Sequence, residues 1–250
     1  MIKTLGLIPS RFGSKRLPGK ALLPINKIPL IVHVYKRAKL SKKLNDLFVC
    51  CDDKKIFNAV VKYGGKALMT STSHSNGTER IAEAYRMIDR KYDLVIDIQG
   101  DEPLIDPRQI DKVIDYHKKN FETDIIVPCL KIKKINNENI VKIVKDKKDN
   151  VLYFSRSTIP FNFKKRIFYL YKHLSIISFK PMALLKYSNF NQTYLEKIEG
   201  IELLRALEIG LKIKSPKLNG DSFSVDVLKD YLKAKARLRA DPFLKRYINK

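Results

Sequence analysis

The sequence predicts an α/β fold in which a mixed, mostly parallel sheet is flanked by helices. Short apolar runs alternate with stretches of helical periodicity through the first half of the 250-residue chain. Such alternation is typical of a doubly wound sheet with right-handed crossovers. After about residue 130 the apolar runs become closely spaced, which predicts a β-rich excursion in the second half. We expect one domain over residues 1–250, with parts at about 1–130, 131–225 and 226–250.

The elements of the first half follow from these patterns. Strands are expected at Thr4–Ile8, Leu47–Cys51, Lys66–Met69, Leu94–Ile98 and Ile125–Cys129. Helices are expected from about Leu30, from an Asp53 cap to Tyr63, from Thr78 to Ile88 and near Pro107–Lys119. Asp is a favoured N-cap because its carboxylate accepts from the free N–H groups of the first turn.

The second half carries a hairpin signal and two helices. Apolar runs at Ile140–Val144 and Val151–Phe154 flank a polar turn, and a long apolar run follows at Tyr169–Phe179. The spacing then predicts one helix over Thr193–Ile209, strands near Leu211–Ser215 and Ser222–Val225, and a last helix from Leu228.

A basic loop, Ser10–Lys20, follows the first strand. It contains four cations (Arg11, Lys15, Arg16 and Lys20) and two glycines (Gly13 and Gly19). Glycines let backbone N–H groups approach a ligand closely, and these groups with surrounding cations predict a polyphosphate site. A solvated basic turn is the alternative. The glycine spacing does not fit a Walker A loop, and no G-x-G-x-x-G dinucleotide motif is present.

Two carboxylates end apolar strands. Asp101 lies in Gln99–Pro103, at the carboxyl end of Leu94–Ile98, which is the edge where open α/β sheets bind ligands. Asp226 closes Phe223–Val225. A carboxylate facing a cationic phosphate loop suits nucleotidyl transfer, in which Mg²⁺ bridges carboxylates and phosphates. The alternatives are a turn cap for Asp101 and a helix N-cap for Asp226.

Composition limits the other classes of function. The net charge is +24, from 50 cations and 26 anions, which would suit a nucleic-acid-binding protein. The lysines are spread along the chain, however, and no stacking pattern of aromatic residues is present, so we expect no specific nucleic acid partner. No apolar run has membrane-spanning length, and we expect a cytoplasmic protein without membrane contact. Cys50, Cys51 and Cys129 are expected to be reduced structural thiols.

The motifs resemble those of the 3-deoxy-manno-octulosonate (Kdo) cytidylyltransferase family, also called CMP-Kdo synthetases, over nearly the whole length. The matching stretches are Ile8–Lys20, Ile25-Asn26, Ile31–Val34, Met69-Thr70, Gly77–Arg80, Gln99–Pro103, Tyr153–Pro160, Lys172–Leu174, Leu195–Glu199, Glu202 with Leu204–Glu208, and Val225-Asp226. The first motif alone is shared by several sugar-nucleotide transferases. The occurrence of the first motif, Gln99–Pro103 and Phe154–Pro160 in this order is much more specific to the family.

The resemblance implies a Rossmann-like nucleotide-diphospho-sugar transferase fold and Mg²⁺-dependent transfer of CMP from CTP to the anomeric hydroxyl of an acidic eight-carbon sugar, for lipopolysaccharide core synthesis. The implied catalytic residues are Arg11, Arg16, Lys20 and Asp101. The implied CTP-binding residues are Ser10, Arg11, Gly13, Ser14, Lys15, Arg16, Lys20, Gly77, Thr78, Arg80 and Gln99. Asp101 and Asp226 would ligate Mg²⁺, and Arg156, His173 and Glu202 would bind the sugar. The resemblance also implies a homodimer formed through the β-rich part.

The chain departs from the family pattern on the implied sugar side. Ser175-Ile176-Ile177 replaces a Gly-Ile-Tyr-like stretch, Leu203 replaces a glutamine, and Val227–Asp230 replaces a Thr-Pro-Glu-Asp run. The nucleotide motifs are intact. The same reaction on 8-amino-Kdo, or on another 2-keto-3-deoxy acid, is therefore an alternative, because one lost hydrogen bond in a built site changes substrate preference strongly.

Overall fold

The computed structural model describes residues 2–133, 137–164 and 169–248. The chain forms two compact units, one of Met1–Lys112 with Ser222–Lys250 and one of Val113–Asp221. The expectation of a single domain stays a prediction.

The elements alternate through the first half of the chain and become β-rich in the second. The strands are β1 Thr4–Ser10, β2 Pro24–Ile25, β3 Ile28–Pro29, β4 Asp46–Cys51, β5 Ala67–Met69, β6 Leu94–Ile98, β7 Ile125–Ile126, β8 Cys129–Lys133, β9 Lys142–Lys145, β10 Val151–Ser155, β11 Tyr169–His173, β12 Ile176–Phe179, β13 Ile213–Lys214 and β14 Lys217–Leu218. The helices are α1 Leu30–Ala38, α2 Lys54–Lys62, α3 Gly77–Met87, α4 Pro107–Lys119, α5 Pro181–Ser188, α6 Tyr194–Glu199, α7 Leu203–Glu208, α8 Leu228–Arg239 and α9 Lys245–Ile248, with a 3₁₀ turn at Lys20–Leu22.

In the first unit, parallel strands lie in the order β6-β1-β4-β5. Strand β6 is buried along its whole length, and β1 is buried at all but one position. Near-continuous apolar strands of this kind are typical of a parallel sheet covered by helices on both faces. Because the strands are parallel, their carboxyl ends meet at one edge. The mixed, mostly parallel sheet flanked by helices confirms the predicted fold class.

Short polar residues begin two of the helices that cover this sheet. The Asp53 carboxylate accepts from the Lys55 N–H and caps α2, as the sequence predicts. Asn76 caps α3 by accepting from the Glu79 N–H at 2.8 Å. Both side chains satisfy backbone donors that a helix start leaves unpaired.

In the second unit, β7 pairs with β12 antiparallel and with β13 parallel. A further sheet runs in the order β10-β9-β11-β8-β14, and its first three pairings are antiparallel. The predicted hairpin is confirmed as β9 and β10. This sheet is the β-rich excursion expected after residue 130.

Three expectations are wrong in detail. Ile125–Cys129 is two strands, because Pro128 between them has no N–H for a sheet hydrogen bond. Thr193–Ile209 is two helices, since Gly200 takes a left-handed conformation (φ 60°) that ends α6. The apolar run Tyr169–Phe179, for which no element was specified, contains β11 and β12, which join different sheets. Ser222–Val225 forms no strand; the Val225 N–H donates to the Asp101 carbonyl instead.

The described helices include none long and apolar enough to cross a membrane. Cys50, Cys51 and Cys129 are free and buried, in line with the structural role expected of them. Burial raises the pKa of the Cys51 thiol to about 11, so the unreactive thiol predominates at neutral pH.

A buried ion pair joins α6 and α7 where Gly200 breaks the helix. Arg205 donates from Nε and Nη2 to the two carboxylate oxygens of Glu196, each at 2.7 Å. Nη1 donates to the Phe190 carbonyl at 2.9 Å, and the guanidinium lies 4.4 Å from the centroid of the Tyr187 ring. The side chains are only 1% and 4% exposed, so removing either partner would leave an uncompensated buried charge.

We expect Glu196→Ala to lower the free energy of unfolding by about 3–5 kcal/mol, because Arg205 would then be buried without its carboxylate. Urea denaturation measures this change. Lys197→Ala is the matched control, since Lys197 lies next to Glu196 on the same helix but is exposed. Equal stability of the two variants would contradict a role for the pair.

Candidate active site

A cavity of about 450 Å³ lies at the carboxyl edge of the parallel strands in the first unit. Segments that follow β1, β5 and β6 line it, together with one residue close to the start of α8. The lining residues are Pro9–Arg11, Ser14–Arg16, Lys20, Ala21, His74–Gly77, Arg80, Gln99–Asp101 and Asp226. The edge predicted to bind a ligand therefore carries a cavity lined by both cations and carboxylates.

Two glycines shape this cavity. A Cβ atom on Gly100 would lie 2.5 Å from the Pro9 carbonyl oxygen, so only glycine lets the end of β6 approach the end of β1 this closely. Gly19 has φ 65°, a left-handed conformation that turns the basic loop into the 3₁₀ turn that begins at Lys20. The glycines thereby bring Lys20 and Asp101 to the same cavity.

Lys20 connects the two carboxylates expected to bind metal. Its Nζ donates to Asp101 Oδ2 at 2.8 Å and lies 3.6 Å from Asp226 Oδ1. Arg16 Nη2 donates to the same Asp226 oxygen at 2.8 Å. Asp101 and Asp226 are about one-quarter exposed, and both oxygens face one cationic atom. A single position between the carboxylates thus already attracts a positive charge.

Asp226 reaches this position through backbone contacts. The Val225 N–H donates to the Asp101 carbonyl at 2.9 Å, which fixes the neighbouring residue beside the end of β6. The Asp230 carboxylate accepts from the N–H groups of Asp226 and Val227 at the start of α8. The N-cap position of α8 is Val227, so Asp226 is not the helix cap, and Asp230 in the first turn holds the backbone of both residues.

Arg80 of α3 lines the cavity and is buried. Nη1 donates to Thr70 Oγ1 at 2.7 Å and to the Ser71 carbonyl at 3.1 Å, while Nη2 donates to Asp52 Oδ2 at 3.0 Å. The guanidinium is held by hydrogen bonds to three residues, which fixes its position and balances its charge. Asp52 was not predicted as a site residue.

The polar loop before α3 supplies a further wall. His74 Nε2 forms a short hydrogen bond with Glu83 Oε2, which also accepts from the Ser71 N–H at 2.9 Å. Burial alone would raise the pKa of Glu83, but the hydrogen bonds from His74 and Ser71 hold that pKa below its usual value. Glu83 therefore holds two residues of this loop, Ser71 and His74, against α3.

Most of the residues expected to bind CTP lie around the cavity. Those that line it are Ser10, Arg11, Ser14, Lys15, Arg16, Lys20, Gly77, Arg80 and Gln99. Gly13 and Thr78 are not among the lining residues, and the buried Thr78 hydroxyl has no hydrogen-bond partner in the described part of the chain. Sequence reasoning missed His74, Ser75 and Asn76, although the polar composition of the loop before α3 was a usable signal.

The residues expected to bind sugar belong to the second unit. Arg156 uses its guanidinium on backbone carbonyls: Nε donates to Glu199 at 2.9 Å, Nη1 to Glu138 at 3.0 Å and Nη2 to Gly200 at 3.2 Å. The backbone N–H of Arg156 donates to the Glu199 carboxylate at 2.9 Å. The guanidinium therefore holds the turn after α6 in this conformation, which the sequence did not predict.

His173 ends β11, and Glu202 precedes α7. Nε2 of His173 is buried and has no hydrogen-bond partner among the described residues. Burial lowers the pKa of His173 to about 4, so the ring is neutral at physiological pH and its free nitrogen can serve as a donor or an acceptor.

Comparison with known proteins assigns the class. The family model described as "Cytidylyltransferase" matches residues 5–213. Since this match spans most of the chain, the chain belongs to the cytidylyltransferase family.

The names of similar proteins specify the sugar as well as the class of enzyme. The chain is 43% identical to a 3-deoxy-manno-octulosonate cytidylyltransferase of Thermodesulfovibrio yellowstonii, over 91% of this chain and 94% of that protein. It is 42% identical to an 8-amino-3,8-dideoxy-manno-octulosonate cytidylyltransferase of Shewanella halifaxensis, over 94% and 98%. A solved CMP:2-keto-3-deoxy-manno-octonic acid synthetase complexed with CTP matches with a TM-score of 0.89 and 32% identity, over 95% of this chain and 99% of that one. These matches confirm the family that the motifs resemble.

We expect Gly100→Ala to lower the free energy of unfolding by about 1–3 kcal/mol, because its Cβ would force the ends of β1 and β6 apart. Gly13→Ala is the matched control in the basic loop, since among the described residues no atom beyond the chain neighbours of Gly13 lies within 4 Å of a Cβ there. Urea denaturation of both variants checks the difference. A Gly100→Ala variant as stable as the Gly13→Ala variant would contradict the close approach.

Proposed function

We propose that the protein transfers CMP from CTP to the anomeric hydroxyl of Kdo and releases pyrophosphate. The observation that carries this proposal is the convergence of Lys20, Asp101 and Asp226 in one cavity of a cytidylyltransferase. Cations there can neutralise a triphosphate, and carboxylates can hold a divalent metal. The relatives named for this reaction support the choice of substrates.

In the proposed reaction the sugar hydroxyl oxygen forms a bond to the α-phosphorus, and the bond from that phosphorus to the bridging oxygen breaks. The hydroxyl proton goes to solvent, and pyrophosphate leaves with the bonding electrons. Negative charge grows on the leaving group, so fixed cations lower the barrier most when they contact it. Arg11, Arg16 and Lys20, which line the cavity, are the residues we assign to this task.

Asp101 and Asp226 fit a Mg²⁺ site. One oxygen of each carboxylate faces the same cation, the Lys20 ammonium group. In proteins, Mg²⁺ typically binds one or two carboxylates together with substrate phosphates and water. When bound, Mg²⁺ would organise the triphosphate and lower the pKa of the attacking hydroxyl, so that no side-chain base is needed. Asp101 and Asp226 would hold the metal in place of the Lys20 and Arg16 contacts, so that both cations could pair with phosphate oxygens.

Cytidine is assigned to the α3 side of the cavity. Gly77, Arg80 and Gln99 lie there, and Gln99 already donates to the buried Asp97 at 3.1 Å. Hydrogen bonds to other protein groups fix the Arg80 and Gln99 side chains before a ligand binds, which reduces the conformational entropy lost on binding. The nucleotide residues named from the resemblance keep this assignment as a proposal.

The sugar that accepts CMP has an alternative, which is 8-amino-Kdo in place of Kdo. Relatives of nearly equal identity carry names for Kdo and for 8-amino-Kdo. Arg156, His173 and Glu202 remain our proposed sugar residues. The free nitrogen of His173 supports a polar ligand, whereas the Arg156 guanidinium would have to exchange backbone carbonyls for a sugar carboxylate. We also propose a cytoplasmic homodimer, as the resemblance implies.

We expect Asp101→Asn to reduce CTP-dependent pyrophosphate release at least about a hundredfold, the size of effect seen when one group facing transition-state charge is removed. Asp106→Asn is the matched control: Asp106 lies in the same segment outside the cavity, pairs with Arg108, and as Asn can still accept from the Arg108 N–H. Continuous detection of pyrophosphate measures both variants. Near-normal turnover by the Asp101→Asn variant would refute the metal assignment.

We expect the unmodified protein to release pyrophosphate with CTP and Kdo, and much more slowly with ATP, GTP or UTP. The same assay with 8-amino-Kdo decides between acceptors, because the ratio of kcat/KM values measures specificity directly. A ratio in favour of 8-amino-Kdo would transfer the assignment to the alternative. Silence with both sugars would contradict the proposed function.

A further inference from the structure

Asp52 connects two sides of the cavity through its two carboxylate oxygens. It follows β4, and its side chain is 12% exposed. Oδ1 accepts from the Phe12 N–H of the basic loop at 2.9 Å, and Oδ2 accepts from Nη2 of the buried Arg80 at 3.0 Å. One side chain thus holds the start of the phosphate loop and the cation on the α3 side.

The bond to Phe12 fixes the loop at a critical point. Phe12 follows Arg11, and its carbonyl accepts from the Ser14 N–H at 2.8 Å, which forms the tight turn of the loop. Arg11 and Ser14 on either side line the cavity. Because both backbone groups of Phe12 are bonded, the direction in which the loop leaves β1 is set by Asp52.

The bond to Arg80 gives this contact its strength. A nearly buried guanidinium needs a compensating anion, and Asp52 is its carboxylate partner within the described chain. Hydrogen bonds to charged groups contribute more than neutral ones, and those of a fixed pair are directional. Through Asp52 the loop is therefore attached to a buried cation that is itself held by hydrogen bonds to Thr70 and Ser71.

We propose that Asp52 is a positioning residue that holds the basic loop in its triphosphate-binding conformation by linking the Phe12 N–H to Arg80. This inference rests on the proposed function. Asp52 does not line the cavity and acts through the loop. If the loop is only fractionally in the competent conformation, the apparent affinity for the triphosphate falls by that fraction. Once the phosphates are bound they hold the loop themselves, so turnover changes less than affinity.

The test uses the full-length protein with Asp52→Ala and Asp52→Asn. We expect Asp52→Ala to raise KM for CTP about tenfold or more and to change kcat less than about threefold. The Asn variant still offers an oxygen to the Phe12 N–H and should recover part of this loss. Asp53→Asn is the control, because it removes one carboxylate charge at the next residue but keeps an N-cap acceptor for α2.

Hydrogen exchange of peptides over residues 10–20, measured without ligand, supplies a readout that does not depend on turnover. Faster exchange in the Ala variant, with recovery in the Asn variant, is expected. Unchanged KM and unchanged loop exchange in the Ala variant would overturn the proposal, and so would a fall in kcat that exceeds the rise in KM. If the Ala variant does not fold, the Asn variant must still raise KM at least about threefold at constant kcat, or the proposal fails.

Failure of the proposed function would look different. A wild-type protein that releases no pyrophosphate from CTP would refute the activity, whereas the exchange of the loop, and binding of inorganic triphosphate by calorimetry, would still decide the role of Asp52. If the Asp52→Ala variant bound inorganic triphosphate as tightly as the unmodified protein, or more tightly, the proposed role of Asp52 would be overturned.

Discussion

The close packing of Gly100 against the Pro9 carbonyl is the constraint on which the rest of the site depends. Strands β1 and β6 pair in parallel with Leu7 beside Asp97, so their carboxyl ends reach the same edge. Without a side chain at Gly100, the two ends can approach each other without a clash. The basic loop leaves from one strand and Asp101 from the other, and their meeting is a direct result of sheet register.

Carboxylates pair with three of the five lysines and arginines that line the cavity, which leaves an excess of cations for an anionic ligand. Lys20 lies against Asp101 and Asp226, Arg16 against Asp226, and Arg80 against Asp52. Most of the lysines behind the net charge of +24 nevertheless lie outside the cavity, which only Lys15 and Lys20 line. Long-range charge influences solubility and the rate of encounter with anions, while these short ion pairs determine where an anion can be held.

The sequence predicted the parts of the fold that depend on local patterns. Parallel strands such as β6 have continuous apolar runs, and α4 matches the expected Pro107–Lys119. The errors arose where one residue overrides the pattern: Pro128 interrupts a strand, and Gly200 turns the chain inside an otherwise helical stretch. Hydrophobic periodicity continues across such residues, so a pattern alone cannot locate the break.

The sequence likewise predicted those residues of the site that lie in local motifs, but not the contacts between distant residues. The basic loop and Asp101 carry local signals, because glycines, cations and a strand-end carboxylate stand close together in the sequence. The meeting of Lys20 with Asp226, and the two contacts of Asp52, join residues distant in sequence, which no short motif describes. The Arg156 contacts with carbonyls at 138, 199 and 200 depended on tertiary structure in the same way.

The first unit is discontinuous in sequence, and this has a consequence for its biosynthesis. Residues Met1–Lys112 emerge from the ribosome first, but Ser222–Lys250 must return to complete the unit. Asp226 therefore joins Lys20 only after the whole of Val113–Asp221 has been made. A nascent chain that has finished its parallel strands still has an incomplete pair of carboxylates, and contacts of such long sequence separation form late because the loop they close is costly in entropy. Competence for the proposed reaction would therefore arise only after Ser222–Lys250 has been made and has joined Met1–Lys112.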